Sequence, residues 1–143
     1  MAQRQTGNGY FRKIDFVFYH ADEIRRAVDA ARNDSGGSKA ARGGGIGDPT
    51  AAAAMRNVTP LRFVEVGGAR LEWPDDWLRV IDSTFAWCDR DRFIVAKDRY
   101  GGVDYRLTCA KLSISERSYY YMINDVRQFA AMCAAQLGVI KVC

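Results

Sequence analysis

The sequence predicts a mainly α protein: a helical bundle with a C-terminal helix-turn-helix whose second helix is long, plus one short β-hairpin. Three observations carry this. Apolar residues recur at three- and four-residue spacing over most of the chain, as one face of a helix requires. Two short alternating runs flank Gly67-Gly68, the dipeptide that a two-residue hairpin turn favours. Between two apolar-periodic stretches stands Ser113-Ile114-Ser115, too short for anything but a tight turn.

At 143 residues the chain has room for one domain, or a core with an N-terminal appendage. The organisation expected is residues 1–60 as helix, Gly-rich linker and short helix, then residues 61–143 as hairpin and helix-turn-helix core. Hydrophobic residues make up 48%, enough to build a core. The net charge of +4 is compatible with a nucleic-acid partner without requiring one. Four cysteines lie far apart with no C-x-x-C pair, which suits reduced thiols better than a disulfide framework. The single histidine, His20, has no metal-binding companion, so no metal or cofactor is expected. No apolar run reaches the ~20 residues of a membrane span, and the N-terminus lacks a signal-peptide core, so a cytoplasmic protein is expected.

In chain order, Met1–Gly9 reads as loose. Tyr10–Arg32 reads as one helix, with Ile14, Val17, Phe18, Ala21, Ile24, Ala27, Val28 and Ala31 on its apolar face. Asn33–Gly47 has six glycines in fifteen residues and reads as a flexible linker. It lacks the G-K-[ST] of a phosphate-binding loop. Asp48-Pro49 starts a short helix that Thr59-Pro60 ends. Leu61–Trp73 is the hairpin, with Leu71 and Trp73 assigned to one face. Pro74-Asp75-Asp76 opens a helix whose Trp77, Leu78, Val80, Ile81, Phe85 and Trp87 are assigned to the core. Arg90–Tyr100 follows, with Phe93, Ile94 and Ala96 inward and Arg90, Arg92, Lys97 and Arg99 outward.

Val103–Leu112 is a short helix with apolar Leu107, Cys109, Ala110 and Leu112. Ser115 caps the next helix, whose apolar stripe is Tyr119, Met122, Ile123, Val126, Ala130 and Cys133. Gly138 sits just beyond its end, where a left-handed residue closes many helices. The opposite face carries Arg117, Tyr120, Tyr121, Asn124, Arg127 and Gln128. A polar, basic and aromatic face after a tight turn has the chemistry of a major-groove reader: arginine pairs with guanine, asparagine with adenine, and cations hold phosphates.

Four segments together resemble one family: Gly43–Ala51 (GGG-x-x-DPTA), Trp73–Leu78 (W-P-x-x-W-L), Arg99–Gly102 (R-Y-x-G) and Leu112–Tyr120 (L-S-I-S-x-x-[ST]-Y-Y). The last two resemble the promoter-reading C-terminal domain of bacterial sigma factors. The whole resembles the phage and prophage transcriptional regulators of the RinA/ArpU kind. The resemblance implies that Ser115, Glu116, Arg117, Tyr120 and Asn124 face the groove, with Cys109 and Tyr119 packed. Ser113 stands where sigma-like domains prefer glycine, and Tyr119 where a small aliphatic is commoner.

The expected function is a sequence-specific DNA-binding regulator with double-stranded DNA as partner, without catalysis. Arg106, Lys111, Arg117 and Arg127, with Lys97 and Arg99, would contact phosphates. Ser115, Glu116, Arg117, Tyr120 and Asn124 would approach base edges. Two alternatives stay open: a small-terminase-like packaging subunit working as a homo-oligomer, and a module that docks on RNA polymerase. No catalytic residues are expected, because the chain lacks a second histidine, a nucleophile elbow and a paired-carboxylate motif.

Overall fold

The computed structural model describes the backbone of residues 2–42 and 61–140, and the side chains of residues 9–33 and 61–140. Among these the protein is mainly helical with one two-stranded antiparallel sheet. The helices are α1 (Ala2–Tyr19), α2 (Ala21–Arg42), α3 (Pro74–Trp87), α4 (Arg90–Tyr100), α5 (Tyr105–Leu112) and α6 (Glu116–Gln136). The strands are β1 (Phe63–Val66) and β2 (Ala69–Glu72). The expected helix at Asp48–Asn57 and residues 43–47 of the expected linker lie outside the described residues. The chain forms two compact units, residues 1–19 with 79–143, and residues 20–78, which interleave along the sequence.

The expected Tyr10–Arg32 helix is two helices, interrupted at His20. The His20 carbonyl accepts from the Ile24 amide at 2.8 Å and so begins α2. Asp22 and Glu23 then fall in a first turn, the end of a helix that favours acids. Apolar spacing runs straight through the break, which is why periodicity did not show it. The flanking expectations also change: α1 begins at Ala2, inside the segment read as loose, and α2 runs to Arg42, past Gly36-Gly37. A glycine costs about 1 kcal/mol in a helix interior, which slows but does not forbid propagation from a turn already formed.

In the unit of residues 20–78, α2 packs on β1, and the core holds Ile24, Val28, Val64, Val66, Leu71 and Trp77. Gly67 and Gly68 both take positive φ, 57° and 75°, as a primed hairpin turn demands. Their register pairs Val66 with Ala69 and Phe63 with Glu72. The Gly67 amide donates to Glu23 Oε1 at 3.1 Å, tying the turn to α2. Arg32 bridges Asp75 at 2.6 Å, and the same carboxylate oxygen accepts from the Leu61 amide. Trp73 does not share the inner face with Leu71. It lies beyond the strand at φ 55°, 40% exposed, and its carbonyl accepts from the Asp76 and Trp77 amides to start α3. Pro74 is the first helical residue, where its missing N–H leaves nothing unpaired.

In the unit of residues 1–19 and 79–143, α6 is the central element, packed by α1, α4 and α5. The core comprises Ile14, Val17 and Phe18 of α1, Val80 and Ile81 of α3, Val95 and Ala96 of α4, and Tyr119, Ile123, Val126, Ala130 and Ala134 of α6. Two aromatic residues expected inside are exposed at the rim. Trp87 stacks flat on Phe129, centroids 4.5 Å apart, and Phe93 meets Phe85 edge-on. The described cysteines, Cys88, Cys109 and Cys133, are free thiols, each with its pKa pushed up by burial.

Candidate nucleic-acid interface

Asp104 caps α5, its carboxylate accepting from the Arg106 amide at 2.9 Å. The helix ends at Ser113, whose φ of 55° and ψ of 46° are left-handed. Its amide and that of Ile114 return to the Ala110 and Cys109 carbonyls, which closes the last turn. Ser115 is back in extended geometry and caps α6 by accepting from the Ser118 amide at 3.0 Å. The two helices are therefore joined by the three residues Ser113–Ser115, with the sharp change of direction made at the first. Inside the corner Val95, Tyr119 and Ile123 are buried, and Tyr105, Cys109, Leu112, Ile114 and Met122 pack around them.

Within α5 two of the expected apolar positions, Leu107 and Ala110, are exposed. Leu107 points to solvent at 66% exposure, while Thr108 is buried. The Thr108 hydroxyl donates to Asp98 Oδ2 at 2.9 Å, so the buried hydroxyl is satisfied and threonine can occupy the inner position. Lys111 pairs with the same carboxylate oxygen at 2.8 Å. Burial of Asp98 acts to raise its pKa, but the Lys111 and Thr108 hydrogen bonds and the Lys111 charge win, leaving it below the ordinary value.

The first turns of α6 present an open hollow lined by Ser115, Glu116, Arg117, Tyr120, Tyr121 and Asn124. Arg117 lies along the helix, with Nε and Nη2 donating to the Tyr121 hydroxyl at 3.2 and 3.0 Å. Tyr120 is 41% exposed and set edge-on against buried Tyr119, 5.2 Å between centroids. Glu116, Arg117 and Asn124 are exposed on this face. Tyr121, 56% exposed, belongs to the surface although it was not placed among the base-reading residues. Its spacing of four from Arg117 on one helix face was the available signal.

The cations divide. Arg106 is exposed beside the Tyr105 ring, and Lys97 lies over the Phe93 ring at 5.4 Å. Lys111 is half-exposed but engaged with Asp98. Arg99 is not outward: it is partly buried, its Nε enclosed without a hydrogen-bond acceptor. Burial raises the pKa of the Tyr119 phenol, and Arg99 beside it partly offsets the rise.

Arg127 is not on the open surface. Its side chain is 17% exposed and turned toward α1, with Nε and Nη2 donating to the two oxygens of Asp15 at 3.1 and 2.8 Å. Tyr100 of α4 donates its hydroxyl to Asp15 Oδ1 at 2.7 Å. Burial and the adjacent carboxylate push the Tyr100 phenol far above its usual range. Arg92 of α4 likewise holds Asp125 of α6, with two nitrogens 3.1 and 2.8 Å from Asp125 Oδ2.

No family model, curated protein or solved structure matches this chain. No group of metal-ligating side chains occurs among the described residues, and none of the described helices is long and apolar enough to cross a membrane.

Proposed function

We propose that the protein is a sequence-specific DNA-binding regulator that reads the major groove with the N-terminal turns of α6. The observation that carries this is the pairing of a helix-turn-helix corner with an exposed reading face. A three-residue turn with a left-handed first position sets α6 against α5, and Arg117, Tyr120, Tyr121 and Asn124 project from the outer side of α6. Their chemistry suits base edges, and the helix N-terminus suits a phosphate. The resemblance to phage and prophage regulators of the RinA/ArpU kind, with a sigma-like turn, supports the same reading. It makes a phage or prophage promoter the natural target.

In this reading Arg106 and Lys97 supply phosphate contacts from outside the hollow, while Lys111 contributes only by loosening its Asp98 pair. Arg127 contributes no phosphate contact. Affinity should therefore fall gently with salt, with a log–log slope of roughly −3 for about three neutralised phosphates.

The test is selection from a randomised duplex pool with tagged protein, followed by anisotropy titration of the enriched duplex. Arg117→Ala and Asn124→Ala should each weaken binding by roughly 1–3 kcal/mol, the latter at one base position. If both variants bind the enriched duplex as the unchanged protein does, α6 is not the reading element.

A further inference from the structure

The guanidinium of Arg127 spends its donors on two neighbours at once. Nε and Nη2 are held by Asp15, and Nη1 donates to Asn124 Oδ1 at 3.4 Å. Asn124 and Arg127 are three residues apart on α6, hence on one face. Asp15 is itself fixed from a third helix by the Tyr100 hydroxyl. The guanidinium is planar with donors in a rigid fork, so fixing two nitrogens fixes the direction of the third. Asn124 is exposed and lines the hollow, and its carbonyl end is the one drawn back toward Arg127.

We infer that Arg127 is a positioning residue for base choice: it biases the Asn124 carboxamide to turn its oxygen inward and its NH₂ outward, so Asn124 selects a base edge rich in acceptors. This rests on the duplex-reading function proposed above. Bidentate pairing with adenine needs both ends of the amide, one to accept from N6 and one to donate to N7. With the oxygen engaged, the free end is a double donor. Guanine, which offers N7 and O6, suits it best, and cytosine, which offers the N4 amino group, suits it worst. The bond to Asn124 is long, so it biases the amide more than it locks it. The expected preference is accordingly guanine over cytosine by roughly tenfold, near the lower end of what one good base contact supplies.

Arg127→Lys tests this, since lysine can still neutralise Asp15 but has no fork to reach Asn124. Base-by-base titration of the enriched duplex with Asn124→Ala first identifies the base position that Asn124 reads. At that position Arg127→Lys should shrink the guanine-over-cytosine preference from roughly tenfold to about threefold or less. Discrimination at the other positions should stay close to that of the unchanged protein. Added to Asn124→Ala, it should change nothing further there. Retained preference in Arg127→Lys, a uniform loss at every position, or a cytosine preference in the unchanged protein would each overturn the inference while leaving duplex reading intact. Failure of the unchanged protein to bind any duplex would overturn both. If Arg127→Lys does not fold by circular dichroism, Asp15→Asn replaces it. Its expected effect is the same relaxation at the same position, and no relaxation there would refute the assignment.

Discussion

Asp15 and Arg127 stand 112 residues apart in sequence, yet meet through two hydrogen bonds of 2.8 and 3.1 Å that join α1 to the middle of α6. Both side chains are largely enclosed, at 21% and 17% exposure. Removing one partner leaves the other charge without compensation in a place water reaches poorly. Asp15→Ala should therefore destabilise the protein by about 2–3 kcal/mol in urea unfolding, somewhat below the value for a fully buried pair. Tyr100→Phe, which removes only one of the three donors to that carboxylate, should cost about 1 kcal/mol. Equal effects from the two substitutions would show that the charge pair contributes little.

Asp98 gives the fold a pH dependence of definite sign. Its folded-state pKa lies below the unfolded value, because Lys111 and Thr108 bond the charged form. The stability it supplies is thus fully present above the unfolded carboxylate range, and is lost as pH falls through the folded pKa. Asp98→Asn should lower stability by about 1–2 kcal/mol at pH 7. The gap between variant and unchanged protein should narrow as the pH is taken down toward 3. A gap that is constant from pH 7 to pH 3 would show that the ionised form is not what matters.

Ser113 holds a left-handed conformation that costs an L-residue about 1 kcal/mol or more. It is exposed, so glycine there would relieve the strain and lose no packing. Against this, glycine adds freedom to the unfolded chain. Ser113→Gly should stabilise by about 0.5 kcal/mol net, seen as a higher urea midpoint with an unchanged slope. Destabilisation would mean that the serine side chain contributes to the corner.

The two hairpin glycines should differ on substitution. Gly68 has φ 75° with open space around it, so Gly68→Ala pays only the backbone strain, about 1 kcal/mol. At Gly67, φ is 57° and a Cβ would come within 2.8 Å of His20 Nε2. Gly67→Ala must also displace the imidazole ring and should be the more damaging of the two by up to ~1 kcal/mol. Thermal unfolding of the two variants side by side decides the ranking.

Much of this architecture could be read locally. The hairpin was legible because Gly67-Gly68 leaves few other turns available, and the corner because Ser115 is a good cap at the right distance from Leu112. Gly138 takes its expected left-handed place beyond α6 at φ 77°. Local patterns failed where the deciding partner is distant or unconventional. Nothing near Arg127 in sequence reveals Asp15, so its local pattern groups the arginine with the outward cations. Thr108 displaces Leu107 from the interior because Asp98, ten residues earlier, satisfies its hydroxyl. Trp87 and Phe93 are as apolar as the residues that line the core, but their neighbours leave them 43% and 37% exposed. The exposed polar and aromatic face of α6 was legible in composition. Which of its side chains are free and which are already engaged was not.

The unit that carries α6 is split in sequence: residues 20–78 are spelled out between its α1 and the remainder. During synthesis α1 precedes all of its partners: Phe18 waits for Phe85 and Tyr100, and the contact of α1 with α6 forms last. Domains tend to form as units while synthesis proceeds, so the intervening segment can be finished before its host closes. A nascent chain stalled ahead of Val126 would hold a completed hairpin, while its first helix still lacked part of the α6 face on which it packs.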